Sequence, residues 1–406
     1  MAGVVRGGGG GSHNGRYGVS SSDGGLVEAS DCKMSSNKQL GIGAWHVGSK
    51  VMLLRCRAEN NGRTGMASRM GSTIAAVESM MQANEQFGVY VSGGGSIVTL
   101  LGCSSSGNGL YGLGASEYGV AEASDCSMQS NGQAGVVAKD AQSVVSLRGC
   151  EILNNGRIGV AAIVGGTVEA AGCIITGNDR VGMGAWHAGS RVSMLECEVN
   201  NNGATGMTAI EGGSLRAVGC QIKGNRRVGV VAKDEGSSAS LQGCDASNNG
   251  RIGVGARGKG SLQAIECVMK NNGQSGCVTK DAGSSVVLVA CDLSSNTRYG
   301  VSVRDCARVE AIDSKMKMNG STGVSVVHIG STILLRRCDA ILNGVADVSA
   351  RDGSKVIVHS SHSDGGSPVP RAEGGASAAP ARSTLFASAL FSGRRSMGMM
   401  PHGAGL

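Results

Sequence analysis

The chain has 406 residues, of which 69 are glycine and only 2% aromatic, with a formal net charge of +7. So much glycine and so few rings exclude an ordinary globular core. The charge does not argue for nucleic acid either: Arg371, Arg382, Arg394 and Arg395 against Glu373 put +3 of it in the tail, leaving about +4 spread over the rest.

Residues 1–12 are glycine-rich and are expected to be unfolded. They contain no apolar h-region of a signal peptide, and nowhere does the chain carry an apolar run long enough to span a bilayer. From His13 onward the sequence repeats. Steps of alternately 23 and 24 residues from Cys150 land forward on Cys173, Cys197, Cys220, Cys244, Cys267, Cys291, Ser314, Cys338 and Ser361. Backward they land on Cys126, Cys103, Ser79, Cys56, Cys32 and Gly9. Five residues after each mark, through Cys338, stands an asparagine, from Asn14 to Asn343; nine after it stands a glycine, from Gly18 to Gly323, until Asp347 breaks the column. A period this regular is the mark of a solenoid, which is one quasi-linear domain of any length.

Each unit reads as three short strands. Gly135-Val136-Val137-Ala138 typifies the first, Val145-Ser146-Leu147 the second, and the third starts at Cys150 with Ile152 two residues on. Alternation is of period two, and Val and Gly stand where a helix would need helix formers. An Asn-Gly turn closes the unit. Three residues before the mark, small and large side chains alternate, as in Ala123, Leu147, Ala170 and Met194, which interdigitate along a stack better than identical ones. All cysteines but Cys277 and Cys306 keep the repeat register. Neighbours in a parallel ladder lie ~4.8 Å apart, too far for the ~3.8 Å Cβ separation of a disulfide. They read as buried reduced thiols, which weakly favours an intracellular home. Pro368, Pro370, Pro380 and Pro401 all lie beyond Asp364, where a ladder no longer needs every N–H. The domain limits are therefore 1–12, the solenoid at 13–364, and a low-complexity tail at 365–406. In that tail, 385–391 (Leu-Phe-Ala-Ser-Ala-Leu-Phe) is a candidate C-terminal cap over the last rungs near Val356 and Val358; uncapped ends would favour end-to-end self-association.

The pattern Leu147-x-x-Cys150-x-Ile152-x-x-Asn155-x-x-x-Gly159-Val160 resembles the right-handed parallel β-helix repeat of the pectate-lyase-like superfamily, over roughly residues 13–364. The resemblance implies an all-β, right-handed parallel β-helix of about fifteen rungs, ~70 Å long. That superfamily includes polysaccharide lyases, hydrolases and epimerases as well as non-enzymatic adaptors. Where its repeats often carry stacked Asn between second and third strands, this chain has Cys or Ser, and its Asn column lies at the next turn. A leucine-rich repeat is the rival reading, disfavoured because no helix and few leucines follow the Val-x-Leu segment.

The resemblance points to the first strand and the turn before it as the place for chemistry. There Asp140, His187, Glu211 and Asp234 share one column, so His187 with Glu211 is a candidate acid–base pair, and Asp281 with Asp305 could bind a hard cation. The competing reading is that translation alone makes such columns, that Lys-Asp dipeptides such as Lys233-Asp234 and Lys280-Asp281 form screened surface pairs, and that three- or four-residue turns build no walls to exclude water. Asn-Thr-Asp, Gly-His-Gly and Arg-Ile-Lys motifs of pectin-degrading enzymes are missing. Arg157, Arg180, Arg227 and Arg251 line one turn position where an anionic polymer could run. Trp45 with His46 and Trp186 with His187 could form a contact platform for sugar or protein. The sequence thus favours a non-catalytic binding or scaffold surface for a protein or carbohydrate partner, without cofactor or metal, with a carbohydrate-active enzyme as the alternative and nucleic acid an unlikely ligand.

Overall fold

The computed structural model describes residues 2–6 and 10–363, an all-β solenoid in which every strand pairing is parallel. Three sheets run along its axis. The first contains fifteen strands, from Tyr17–Ser22 to Ala346–Arg351. The second contains sixteen, from Leu26–Ser30 to Lys355–His359 with Ala2–Arg6 added in front. The third has eight, from Lys33–Ser35 to Glu198–Asn200, and continues as single bridges through Gln221, Asp245 and Val268 to His362. Ala2–Arg6 pairs with Leu26–Ser30, which differs from the expectation that residues 1–12 are unfolded: the open edge of the second sheet offers that backbone a ladder. The candidate cap at 385–391 lies outside the described residues.

The 23/24 alternation resides wholly in the turn from first to second strand. Four residues separate Trp45 from Lys50, three separate Arg69 from Thr73, and the two lengths alternate to the end of the stack. The inner side chain that follows is large after a four-residue turn and small after a three-residue one: Leu53, Ala76, Leu100, Ala123. The extra residue and the extra side-chain volume thus come in the same rungs. The core is a single file of Ala, Val, Leu, Ile, Met and Cys, nearly all with almost no exposure.

Two polar ladders hold the turns. Asn37 to Asn319 are each at most 1% exposed. The backbone N–H and side-chain amide of Asn178 both donate to Asn202 Oδ1, at 3.1 and 3.0 Å, and Asn202 repeats the pattern on Asn225. Its Nδ2 also donates to Ile175 O of the rung before. Buried amides are fully paired this way, which an isolated Asn would not achieve. The glycine column follows from it: a Cβ on Gly206 would sit 2.7 Å from Asn225 Nδ2 and 2.8 Å from Gly229 O. The thiols make a second, weaker ladder. Cys103 N donates to Cys126 Sγ at 3.3 Å, and where serine replaces cysteine the bond persists, as in Cys56 N to Ser79 Oγ at 3.1 Å. Thirteen of the fourteen cysteines are buried, all are unbridged, and Cys306 is the exposed one. Burial drives the Cys277 thiol up to about 12, so it stays protonated.

Candidate functional site: a cation-walled cleft on the first sheet

Along each first strand, alternate side chains enter the core. Val181, Gly184 and Trp186 face outward while Met183 and Ala185 face in. The outward face carries most of the chain's aromatic rings. Phe87 stacks on Tyr90 with centroids 4.8 Å apart and tilts against Tyr111 at 5.3 Å; Arg69 lies over Tyr90. Trp45 tilts against Tyr17 at 4.6 Å. Both tryptophans are half-buried because each indole folds down over a glycine two residues earlier, Gly43 and Gly184, where a Cβ would overlap the ring. Each therefore shows a face and an edge to solvent rather than a free ring.

The column of candidate catalytic residues opens the turn after this strand. His187 Nε2 lies 3.3 Å from Glu211 Oε2, with the two side chains 51% and 59% exposed. Asp234 pairs with Lys233 at 3.4 Å, and Val164 stands between Asp140 and His187 in the register. Of the four, only His187 and Glu211 are brought together by an ion pair. The same turn makes equivalent pairs elsewhere: His46 with Asp23 at 2.8 Å and His328 with Asp305 at 2.6 Å. Asp305 is thus engaged by a histidine, and Asp281 accepts a hydrogen bond from Gly258 N. Among the described residues no group of three or more His, Cys, Asp or Glu is arranged to hold a metal ion.

Further along the same face lies a cleft of about 330 Å³. Its floor is Thr205, Val228, Val231, Ile252, Gly255 and Val278. One wall carries Arg227 and Arg251 from the turn before the strand; the other carries Arg257, Lys280 and Arg304 from its end. Arg257 stacks in register between Lys233 and Lys280, and Lys280 in turn on Arg304. No acidic residue lines the cleft. Among the described residues, none of its five cations enters an ion pair; the Lys-Asp pairing expected from the sequence forms at Lys233-Asp234 but not at Lys280-Asp281. Asp281 instead accepts a hydrogen bond from Gly258 N and Asp305 pairs with His328, so neither neutralises the cation that precedes it. Arg157 and Arg180 occupy the same turn position as Arg227 and Arg251 but lie outside the cleft. Next to its first rungs, Thr208 Oγ1 is the one buried side-chain polar atom without a hydrogen-bond partner among the described residues.

A parallel solenoid of three sheets with an outward strand face and short turns is the architecture of a right-handed β-helix. Residues 11–121, 88–238 and 210–363 match the family described as the right handed beta helix region, and the chain belongs to that family. No curated protein matches the sequence. Among solved structures, a chain of the cryo-EM complex of Vag8 with C1 inhibitor is similar at 16% identity and a TM-score of 0.59, covering 88% of this chain and all of that one. A mutant of the periplasmic alginate epimerase AlgG gives 10% identity, a TM-score of 0.44, and 84% and 78% coverage. The A-module of the Azotobacter vinelandii mannuronan C-5 epimerase AlgE6 gives 14%, 0.43, and 84% and 91%. These likenesses concern the fold. Among the described residues there is no helix long and apolar enough to cross a membrane.

Proposed function

We propose that the chain is a non-catalytic binding solenoid that presents the outer face of its first sheet to an anionic protein or carbohydrate partner. The observation that carries this reading is the cleft: cations stand on both walls, without acids among them and without ion pairs within the described residues. Stacked like charges repel unless something neutralises them, and an anionic partner does so across both rows at once. Arginine suits the task, since its planar fork binds carboxylate, sulfate or phosphate through two donors. Vag8 shows that a related fold takes part in a protein complex. The buried, unbridged thiols favour placing the chain in a reducing compartment.

A second reading, a carbohydrate-active enzyme, rests on the 3.3 Å contact of His187 with Glu211. Half-exposed side chains on an open ridge lack the water exclusion and field focusing that a working acid–base pair needs. The deciding experiment probes a glycan array and an acidic-peptide array with the wild-type chain and with Arg257→Glu/Arg304→Glu, alongside assays for turnover of uronate polymers. Loss of array binding on charge reversal, with no turnover by either protein, supports binding. Turnover that disappears in His187→Ala and Glu211→Ala would reject it.

A further inference from the structure

Resting on the reading of the cleft as the binding site, we infer that its occupant is an acidic amphipathic α-helix of a partner protein, lying along the solenoid axis. The floor is one reason. Val228, Val231, Ile252 and Val278 are branched aliphatics, and the cleft lining includes no aromatic ring on which a base or a pyranose face would stack. An aliphatic strip between polar walls instead matches the apolar stripe of a helix seated in a groove.

Width is the second reason. The two cation rows are six strand residues apart, as from Arg251 to Arg257, or about 20 Å between their Cα atoms. A helix with its side chains is ~10–12 Å across. The remaining space on each side is the reach of one arginine or lysine folding over toward a carboxylate on the helix flank. A single extended chain would leave one wall or the other out of contact.

The third reason is pitch. Lys233, Arg257, Lys280 and Arg304 follow one another at one residue per rung, ~4.8 Å. A helix rises ~5.4 Å per turn, so carboxylates at i and i+4 on one flank meet roughly one cation per rung of this row, while the other flank meets Arg227 and Arg251 on adjacent rungs. From the Thr205 rung to the Tyr299 rung there are four steps, ~19 Å, which a helix covers in about 13 residues. Three acids stand at the edge of the row: Asp234 is paired with Lys233, Asp305 with His328, and Asp281 accepts a hydrogen bond from Gly258 N.

The test uses a helix-stabilised peptide of about 18 residues, with a leucine stripe and glutamates on both flanks. A peptide of the same composition but without the stripe, and a heparin oligosaccharide, serve as competitors. Each is titrated against the wild-type chain, Arg257→Glu/Arg304→Glu and Val231→Asp, with melting curves to verify that both variants fold. The expected result is that the amphipathic peptide binds at least about tenfold more tightly than its scrambled isomer, and that either variant weakens it by about tenfold or more. Equal binding of the two peptides, or no peptide binding below about 1 mM, overturns the helix. Tighter binding of heparin that depends on Arg257 and Arg304 also overturns the helix, while leaving the cleft as the site. Indifference of every ligand to charge reversal rejects the cleft and the helix together.

Discussion

Asp347 closes the asparagine ladder: its Oδ1 accepts the side-chain amide of Asn343 at 2.9 Å and the backbone N–H of the same residue at 3.2 Å. Those are the two bonds that each earlier asparagine makes to the next rung. Asp347 holds the place in the repeat that glycine holds up to Gly323, where a Cβ would meet Asn343 Nδ2 at 2.6 Å. The glycine keeps space for the following rung's amide. At Asp347 that space is filled by its own carboxylate, which supplies the acceptor and is only 5% exposed.

Asp347→Ala should therefore loosen the last rungs by ~1–3 kcal/mol, the cost of stranding buried donors. Because a solenoid's stability is local and nearest-neighbour, hydrogen exchange should accelerate at Asn343 and Asn319 and stay unchanged at Asn202. Acceleration along the whole ladder would show that the stack melts as one unit instead.

Asn202→Ala removes an interior acceptor from Asn178 N and Nδ2 and a donor to Ile175 O. It should cost more than the terminal change, ~1–3 kcal/mol for each group left unpaired. Denaturant titration checks this. A midpoint matching wild type would mean that water replaces the amide.

Gly206→Ala should destabilise the chain by ~1–3 kcal/mol, because its methyl would lie 2.5 Å from Ile222 Cγ2, 2.7 Å from Asn225 Nδ2 and 2.8 Å from Gly229 O, and must push them apart. Gly243→Ala is the control for added bulk: its φ of 58° strains any side chain, but nothing lies within 4 Å of the new Cβ. Thermal melts of the pair should place Gly206→Ala clearly lower.

Native alkylation should label one thiol per chain, Cys306, with the rest reacting only after unfolding. Mass spectrometry after a short exposure to iodoacetamide reads this directly. Rapid labelling of Cys150 or Cys197 in the native protein would contradict the buried thiol ladder.

The fold was legible because fifteen repeats say the same thing, and one ambiguous strand is outvoted by its equivalents. The Asn column, the Ala/Leu alternation and the unbridged cysteines all read correctly for that reason. The site was harder. Lys280-Asp281 and Arg304-Asp305 look like self-neutralising dipeptides, as Lys233-Asp234 is, but Asp281 accepts from Gly258 N and Asp305 pairs with His328, partners set by neighbouring rungs that the dipeptide does not reveal. Arg257 is followed by Gly258, so it escaped the dipeptide pattern; counting from the Cys mark would have placed it in the row with Lys233 and Lys280. The tryptophans suggested open platforms, although Gly43 and Gly184, two residues earlier, already offered each indole a place to lie down.

The proposed function has the molecule bind through the cation rows and do no chemistry at the histidine ridge. The most direct measurement compares Arg257→Glu/Arg304→Glu with His187→Ala/Glu211→Ala for ligand affinity and for turnover of uronate polymers, at low and moderate salt. Charge reversal alone should abolish binding, wild-type affinity should fall steeply with salt, and no protein should turn over substrate. Turnover by the wild type that vanishes in His187→Ala/Glu211→Ala, with binding untouched by charge reversal, would contradict it.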